Sequence, residues 1–349
     1  MNINNLKTQK DPKDPLDKIE DKIERQKISN QKSRLVFLDL LRFIASIFVF
    51  FYHIYDKNPE NHGFLIFDIK KDFFNTGIVG VIIFFLISGY IIPYAIARCR
   101  NIKDFLIKRC IRIYPLLIIV MVYGLARYGG FEEKMILGLL LPIADFLIEG
   151  IWIAKGVDWT LRVEFFYYVL IAIIYFKNKF NFKTIFLSIL ATSTLAIITL
   201  IYREENFNNG LVHLNFIFLG SLLYLIEKEN FQNSSNNSYA IIAFILSIMS
   251  FEICRFDNSL GILFGTAVFL FFYFLHQTKL RIKPNKFIEC LGEISYPLYL
   301  LHIMIYEDLY WLFNSHIITP IIFVVICYAV HLLIEKPSMK YLKNIFTNP

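Results

Sequence analysis

Apolar runs long enough to cross a lipid bilayer recur along almost the whole chain, and this limits the possible folds more than any other property. About 20 helical residues at 1.5 Å each match a hydrocarbon core of roughly 30 Å. With 56% hydrophobic and 17% aromatic residues among 349, the chain carries more apolar surface than a soluble domain of this size has room to bury. The fold class is therefore all-α, a polytopic transmembrane helical bundle. Candidate spans are 36–55, 77–97, 112–128, 161–176, 184–202, 211–226, 239–254, 260–276, 294–313 and 317–335.

Loop charge orients these spans, because Lys and Arg collect on the cytoplasmic side. The N-terminal tail is rich in Lys. Residues 98–112 carry Arg98, Arg100, Lys103, Lys108, Arg109 and Arg112. Lys177, Lys179 and Lys183 mark a further inner loop, as do Lys279, Arg281, Lys283 and Lys286, and then Lys336, Lys340 and Lys343. These agree only if 129–160 contains no net crossing. The apolar stretch 135–151, with Gly138, Pro142, Asp145 and Glu149, is thus expected to be re-entrant or interfacial on the outer side. The expectation is about ten crossings with both termini cytoplasmic.

Residues 1–33 are polar with no apolar core, so they are read as a flexible cytoplasmic tail rather than a signal peptide. Residues 34–337 form the membrane domain and 338–349 a C-terminal cytoplasmic tail. The net charge of +7 follows from the basic loops and calls for no nucleic-acid partner. The five cysteines show no CxxC or Cys/His spacing and imply neither a disulfide framework nor a metal site.

The first span, RLVFLDLLRFIASIFVFFYHIYD over 34–56, carries polar residues at an unusual density. Asp39, Arg42, Ser46, His53 and Asp56 follow a three-and-four spacing that places them on one helical stripe. Ionisable groups at lipid depth are costly and tend to mark a wet cavity with a function. The structural alternative pairs Asp39 with Arg42 near the cytoplasmic end and leaves His53 at the far interface.

Other motifs follow in order. In GVIIFFLISGYIIP, Gly89 suits close helix packing, Pro93 frees a carbonyl that needs a donor, and Ser88 and Tyr90 are candidates to line a cavity. Arg109 and Arg112 lie one turn apart, and two guanidinium forks on one face suit phosphate oxygens; ordinary positive-inside charge is the alternative. Glu164, in DWTLRVEFFYYVL, lies inside its helix amid aromatics and needs a partner or a wet cavity, whereas Asp158 is read as a helix N-terminal charge. Ser295, Tyr299 and His302 share a face in the 294–313 span. His213 and His331 sit alone in apolar context and are read as structural; His62, His276 and His316 fall in loops.

Arg42-x10-His53, FFLISGY, Arg109-x-x-Arg112-Ile-Tyr-Pro, Trp159-Thr-Leu-x-x-Glu164, Ser295-Tyr296 with Tyr299-Leu-x-His302, and Ile334-Glu335-Lys-Pro337 occur in this order. Together they resemble acyltransferase family 3, the membrane O-acyltransferases of bacterial surface glycans and antibiotics. The chain departs from that pattern at Phe64, where many members have an acidic residue; Asp56 and Asp68 are the nearby substitutes. No esterase-like domain follows, so transfer is expected to finish within the membrane domain.

The resemblance implies acyl-CoA, most often acetyl-CoA, as co-substrate with no permanently bound cofactor. The implied acceptor is a hydroxyl of a glycan or lipid-linked sugar, and the implied location is the bacterial inner membrane. The chemistry needs a base for the hydroxyl proton and positive charge for the oxyanion. His53 is the candidate base, and Arg42 a candidate to stabilise charge or hold the donor, with Glu164 beside them. Arg109 and Arg112 would take the donor phosphates. Ser88, Tyr296 and His302 would shape the acceptor side. Two rivals are a glycan or lipid flippase, whose inverted repeats are not seen, and a related binding protein without catalysis. Neither rival consumes thioester.

Overall fold

A computed structural model describes residues 36–53, 76–129, 157–202, 210–228, 234–254, 285–315 and 317–347. Among these residues there are helices and no strands. The predicted span 260–276, the predicted re-entrant segment 135–151 and the predicted tail 1–33 lie outside them.

In chain order the helices are α1 (Val36–His53), α2 (Thr76–Ile96), α3 (Ile102–Tyr128), α4 (Trp159–Phe176), α5 (Phe182–Tyr202), α6 (Gly210–Lys228), α7 (Ser234–Cys254), α8 (Lys286–Leu301), α9 (Met304–Phe313) and α10 (Ile318–Val330). A π-helical turn, His331–Glu335, joins α10 to α11 (Lys336–Thr347). By length and composition, six apolar helical stretches among the described residues suffice to cross a membrane, and α8 with α9 forms a seventh if the bent pair is one span.

Helix α6 is the axis of the bundle. Gly210 through Ile226 are all buried, so this helix presents no face to lipid. It can be enclosed because α2 meets it backbone to backbone. A Cβ on Gly89 would lie 1.7 Å from the Ile217 carbonyl oxygen, and one on Gly220 would lie 2.2 Å from that of Leu86. Small residues are what permit such an approach between membrane helices. On its other flank α6 buries Asn215, whose amide donates to Ser193 at 2.9 Å and Ser250 at 3.0 Å while its oxygen accepts from Thr192 at 2.5 Å. Those partners stand on α5 and α7, so each polar atom removed from water finds a substitute. The outer faces of α5 and α7 expose Leu187, Leu195, Ile241 and Met249, the pattern of lipid-facing surface.

The candidate span 294–313 is not one continuous helix. The chain turns by 82° between α8 and α9, with His302 and Ile303 at the corner. Pro297 within α8 lacks a backbone donor. At the corner the His302 ring turns back, with Nδ1 2.5 Å from the Tyr299 carbonyl oxygen that an unbroken helix would have used itself. Asp308 of α9 pairs with Arg127 at 3.2 Å and accepts a hydrogen bond from the Tyr123 hydroxyl, which ties the bent arm to α3.

Candidate functional site

The centre of the site follows from a defect in α2. Pro93 cannot donate to the Gly89 carbonyl four residues earlier. That carbonyl instead faces the hydroxyls of Ser221 on α6 at 3.3 Å and Tyr167 on α4 at 3.5 Å. Three helices are thereby fixed at one level. One residue before Gly89, Ser88 donates to Glu164 Oε1 at 2.5 Å, and Tyr168 donates to the same oxygen at 2.5 Å.

Glu164 and Ser88 line a cavity that also receives Arg42 from α1, Arg109 and Arg112 from α3, and Tyr296 from α8. Tyr296 is locked by a hydrogen bond to the Ile113 carbonyl at 2.8 Å. Arg42 pairs with Asp39 at 3.4 Å, and α8 passes Asp39 so closely that a Cβ on Gly292 would lie 2.3 Å from it. Arg109 lies over the rings of Phe105 at 5.3 Å and Tyr168 at 5.7 Å. Neither Arg109 nor Arg112 has a carboxylate within ion-pair distance among the described residues, and Arg109 Nε is buried without a hydrogen-bond partner among them. Three guanidinium groups therefore converge on a space in which Glu164 is the single carboxylate of the lining. At the start of α3, Asn101 caps Asp104 N–H at 2.9 Å, and the Lys108 ammonium beside Asp104 holds its carboxyl below the usual range.

The opposite end of the cavity is neutral and polar. Thr160 and Tyr299 line it with their hydroxyls 2.7 Å apart. Beyond Tyr299 stands His302, and the ring of His53 packs against His302 with centroids 5.0 Å apart and planes tilted by 41°. The structure thus brings Arg42, Ser88, Arg109, Arg112, Glu164 and Tyr296 together around one space, while His53 and His302 form a pair just outside its lining. Arg42 and His53 are eleven residues apart, about 16 Å along α1, so they serve different ends of the site.

Several residues went unread in the sequence. Tyr168 and Thr160 gave no signal apart from neighbouring aromatics and a helix start. Asp158, read as a helix N-terminal charge, is a buried ion-pair partner of Arg162 at 2.7 Å. His331, read as isolated, has Nδ1 2.8 Å from Glu335 and Nε2 3.2 Å from Glu293. Both pairs, Asp158/Arg162 and His331/Glu335, have the four-residue spacing that puts side chains on one helical face. His213, read as structural, packs against the rings of Phe85, Trp159 and Phe251. Among the described residues no three His, Cys, Asp or Glu side chains converge as metal ligands.

Cationic groups at one end, a hydrogen-bonded carboxylate in the middle and imidazoles at the other end suit an elongated anionic ligand whose neutral tip reaches the imidazoles. A family model described as an acyltransferase domain (Acyl_transf_3) matches residues 35–335. Nodulation protein 10 of Rhizobium leguminosarum bv. viciae is 30% identical over 158 residues, 38% of this chain and 41% of that protein. An O-acetyl transferase of Shigella phage Sf6 is 30% identical over 176 residues, 45% of this chain and 51% of that protein. The chain therefore spans about half the length of these curated relatives or less. No solved structure matches it.

Proposed function

The chain belongs to the Acyl_transf_3 family of acyltransferases, and on that premise we propose that it is a multi-pass membrane O-acyltransferase. It moves an acyl group, foremost acetyl, from acyl-CoA to a hydroxyl of a cell-surface or exported glycan. One observation carries the reading: Arg42, Arg109 and Arg112 line a single cavity, and the latter two have no carboxylate partner among the described residues. Such an array suits the phosphates of a CoA donor. Basic loops around α3 and after α10 support a cytoplasmic position for that mouth, in a bacterial inner membrane with both termini on that side.

In this reading Arg109 and Arg112 hold the donor phosphates, and Arg42, steadied by Asp39, holds the donor as its pantetheine arm enters. The arm carries the thioester past Ser88 and Glu164 toward Tyr299. At that end the acceptor hydroxyl meets His53, which removes its proton as the oxygen attacks the thioester carbonyl. The carbon–sulfur bond breaks, the ester forms, and CoA leaves as thiol once the proton is returned to its sulfur. Glu164, Tyr296 and His302 shape the acceptor side. The separation of Arg42 from His53 fits this division, since one group cannot serve both ends.

The test is purified full-length protein with labelled acetyl-CoA and the host's envelope polysaccharide, stripped of O-acetyl groups by mild alkali. Free thiol should appear in step with labelled ester. Wild-type protein that binds acetyl-CoA but releases no thiol with any acceptor would favour a transporter or binding protein.

A further inference from the structure

The corner between α8 and α9 has a use beyond bending the chain. In an α-helix the Tyr299 carbonyl would accept from the backbone N–H of Ile303. The 82° turn removes that donor, and His302 replaces it with its own ring, Nδ1 lying 2.5 Å from the carbonyl oxygen. A carbonyl accepts and does not donate, so Nδ1 carries the hydrogen. The His302 ring is thus held in one orientation by the backbone, and it is 2% exposed. The ring of His53 rests on this fixed ring. Tyr52 also packs edge-on against His53 at 5.2 Å.

We propose that His302 is a positioning residue for His53, the break after α8 existing to place a backbone-anchored imidazole against the base at the outer end of the cavity. The inference rests on the reading of His53 as the base. An imidazole such as that of His53 has rotamer freedom to lose when it is held in one orientation. A contact surface with its own orientation fixed removes that freedom before substrate arrives, which is what lets a base act at one point. Tyr299 links this pair to the cavity, because its ring lies 5.9 Å from His302 and its hydroxyl meets Thr160. The charged and titratable groups around the pair include Tyr52, Tyr299, the Asp158–Arg162 ion pair and, deeper in the cavity, Glu164.

The experiment compares His302→Phe, His302→Asn and His53→Ala in full-length protein, with acetyl-CoA and the alkali-treated envelope polysaccharide. Phe preserves ring packing but cannot donate to the Tyr299 carbonyl; Asn can donate. The Phe variant should lose about 10- to 100-fold in kcat with the KM for acetyl-CoA within about twofold, and Asn should recover most of that loss. The acid limb of the kcat–pH profile should move in the Phe variant and return with Asn. A Phe variant that matches wild type in kcat and in that limb overturns the inference. So does a Phe variant equal to Asn in both. If His53→Ala keeps wild-type transfer, the base assignment itself fails, which the His302 variants alone would not produce. Thermal unfolding in detergent separates these outcomes from loss of fold.

Discussion

Ser88 on α2 and Glu164 on α4 meet at 2.5 Å across the wall of the cavity, and Tyr168 donates to the same carboxylate oxygen. With Oε1 occupied twice by hydroxyl donors, the carboxylate is fixed in orientation and its other oxygen is directed by default. Glu164→Gln should lower kcat by about 100-fold, within the range of a lost acid–base or charge role. Ser88→Ala and Tyr168→Phe should each cost about 10-fold, because they loosen Glu164 without removing it. Their double variant should cost less than the product of the two, since both act through one oxygen. Steady-state kinetics on the four proteins checks this.

The arginine pair should separate binding from chemistry. Arg109→Ala and Arg112→Ala each remove a charge-assisted contact worth about 1.5–3 kcal/mol, so the KM for acetyl-CoA should rise by roughly 10- to 100-fold. The kcat at saturating donor should change far less. Lys in place of either Arg should restore only part of the affinity, because an ammonium lacks the fork. Donor that lacks its 3′-phosphate identifies which Arg reads that group: the variant of that residue should no longer discriminate against it.

Gly89 and Gly220 leave no space for a side chain where α2 and α6 touch. Their neighbours there are backbone atoms, which cannot rotate away. Gly220→Ala should destabilise the protein by more than the roughly 1–3 kcal/mol of ordinary overpacking. Fluorescence-detected size exclusion of the detergent-extracted variant should show loss of the monodisperse peak. Gly129 offers a contrast: a Cβ there meets nothing among the described residues, but its φ of 67° is costly for other residues, so Gly129→Ala should give a milder loss.

The buried Asp158–Arg162 pair should be sharply asymmetric to mutation. Asp158→Ala leaves Arg162, itself buried, without that carboxylate and should cost about 3–5 kcal/mol. Asp158→Ala combined with Arg162→Met should recover much of the loss, because the charge that needed compensation is gone. Thermal midpoints of the single and double variants in one detergent decide it.

Much of the site was legible because the sequence announces charge in apolar helices. Arg42, Ser88 and Glu164 stood out in apolar helices, Arg109 and Arg112 lay one turn apart in the basic inner link, and Tyr296 entered through the family resemblance; all six line one cavity. Depth along α1 was as legible as face: eleven residues put Arg42 and His53 on one side about three turns, roughly 16 Å, apart. The corner at His302 was hidden, because Ser295, Tyr299 and His302 keep helical spacing up to the residue where the helix stops. His331 was read as isolated because its window is apolar, although Glu335 stands four residues on. Glu293, which completes that cluster, comes from another helix, and no local pattern connects the two.

The polar partners buried around α6 come from two sources that differ in chain distance. Asn215 is served by Thr192, Ser193 and Ser250, all on the helices immediately before and after it. Ser221, by contrast, relies on the Gly89 carbonyl and Tyr167, contributed by segments made much earlier. The α5–α6–α7 trio thus satisfies its own amide without the earlier helices. Toward α2 and α4, α6 joins Tyr167 in supplying donors to the proline-orphaned carbonyl, one residue from Ser88. Helix α6 therefore steadies a contact, Ser88 with Glu164, that two other helices make.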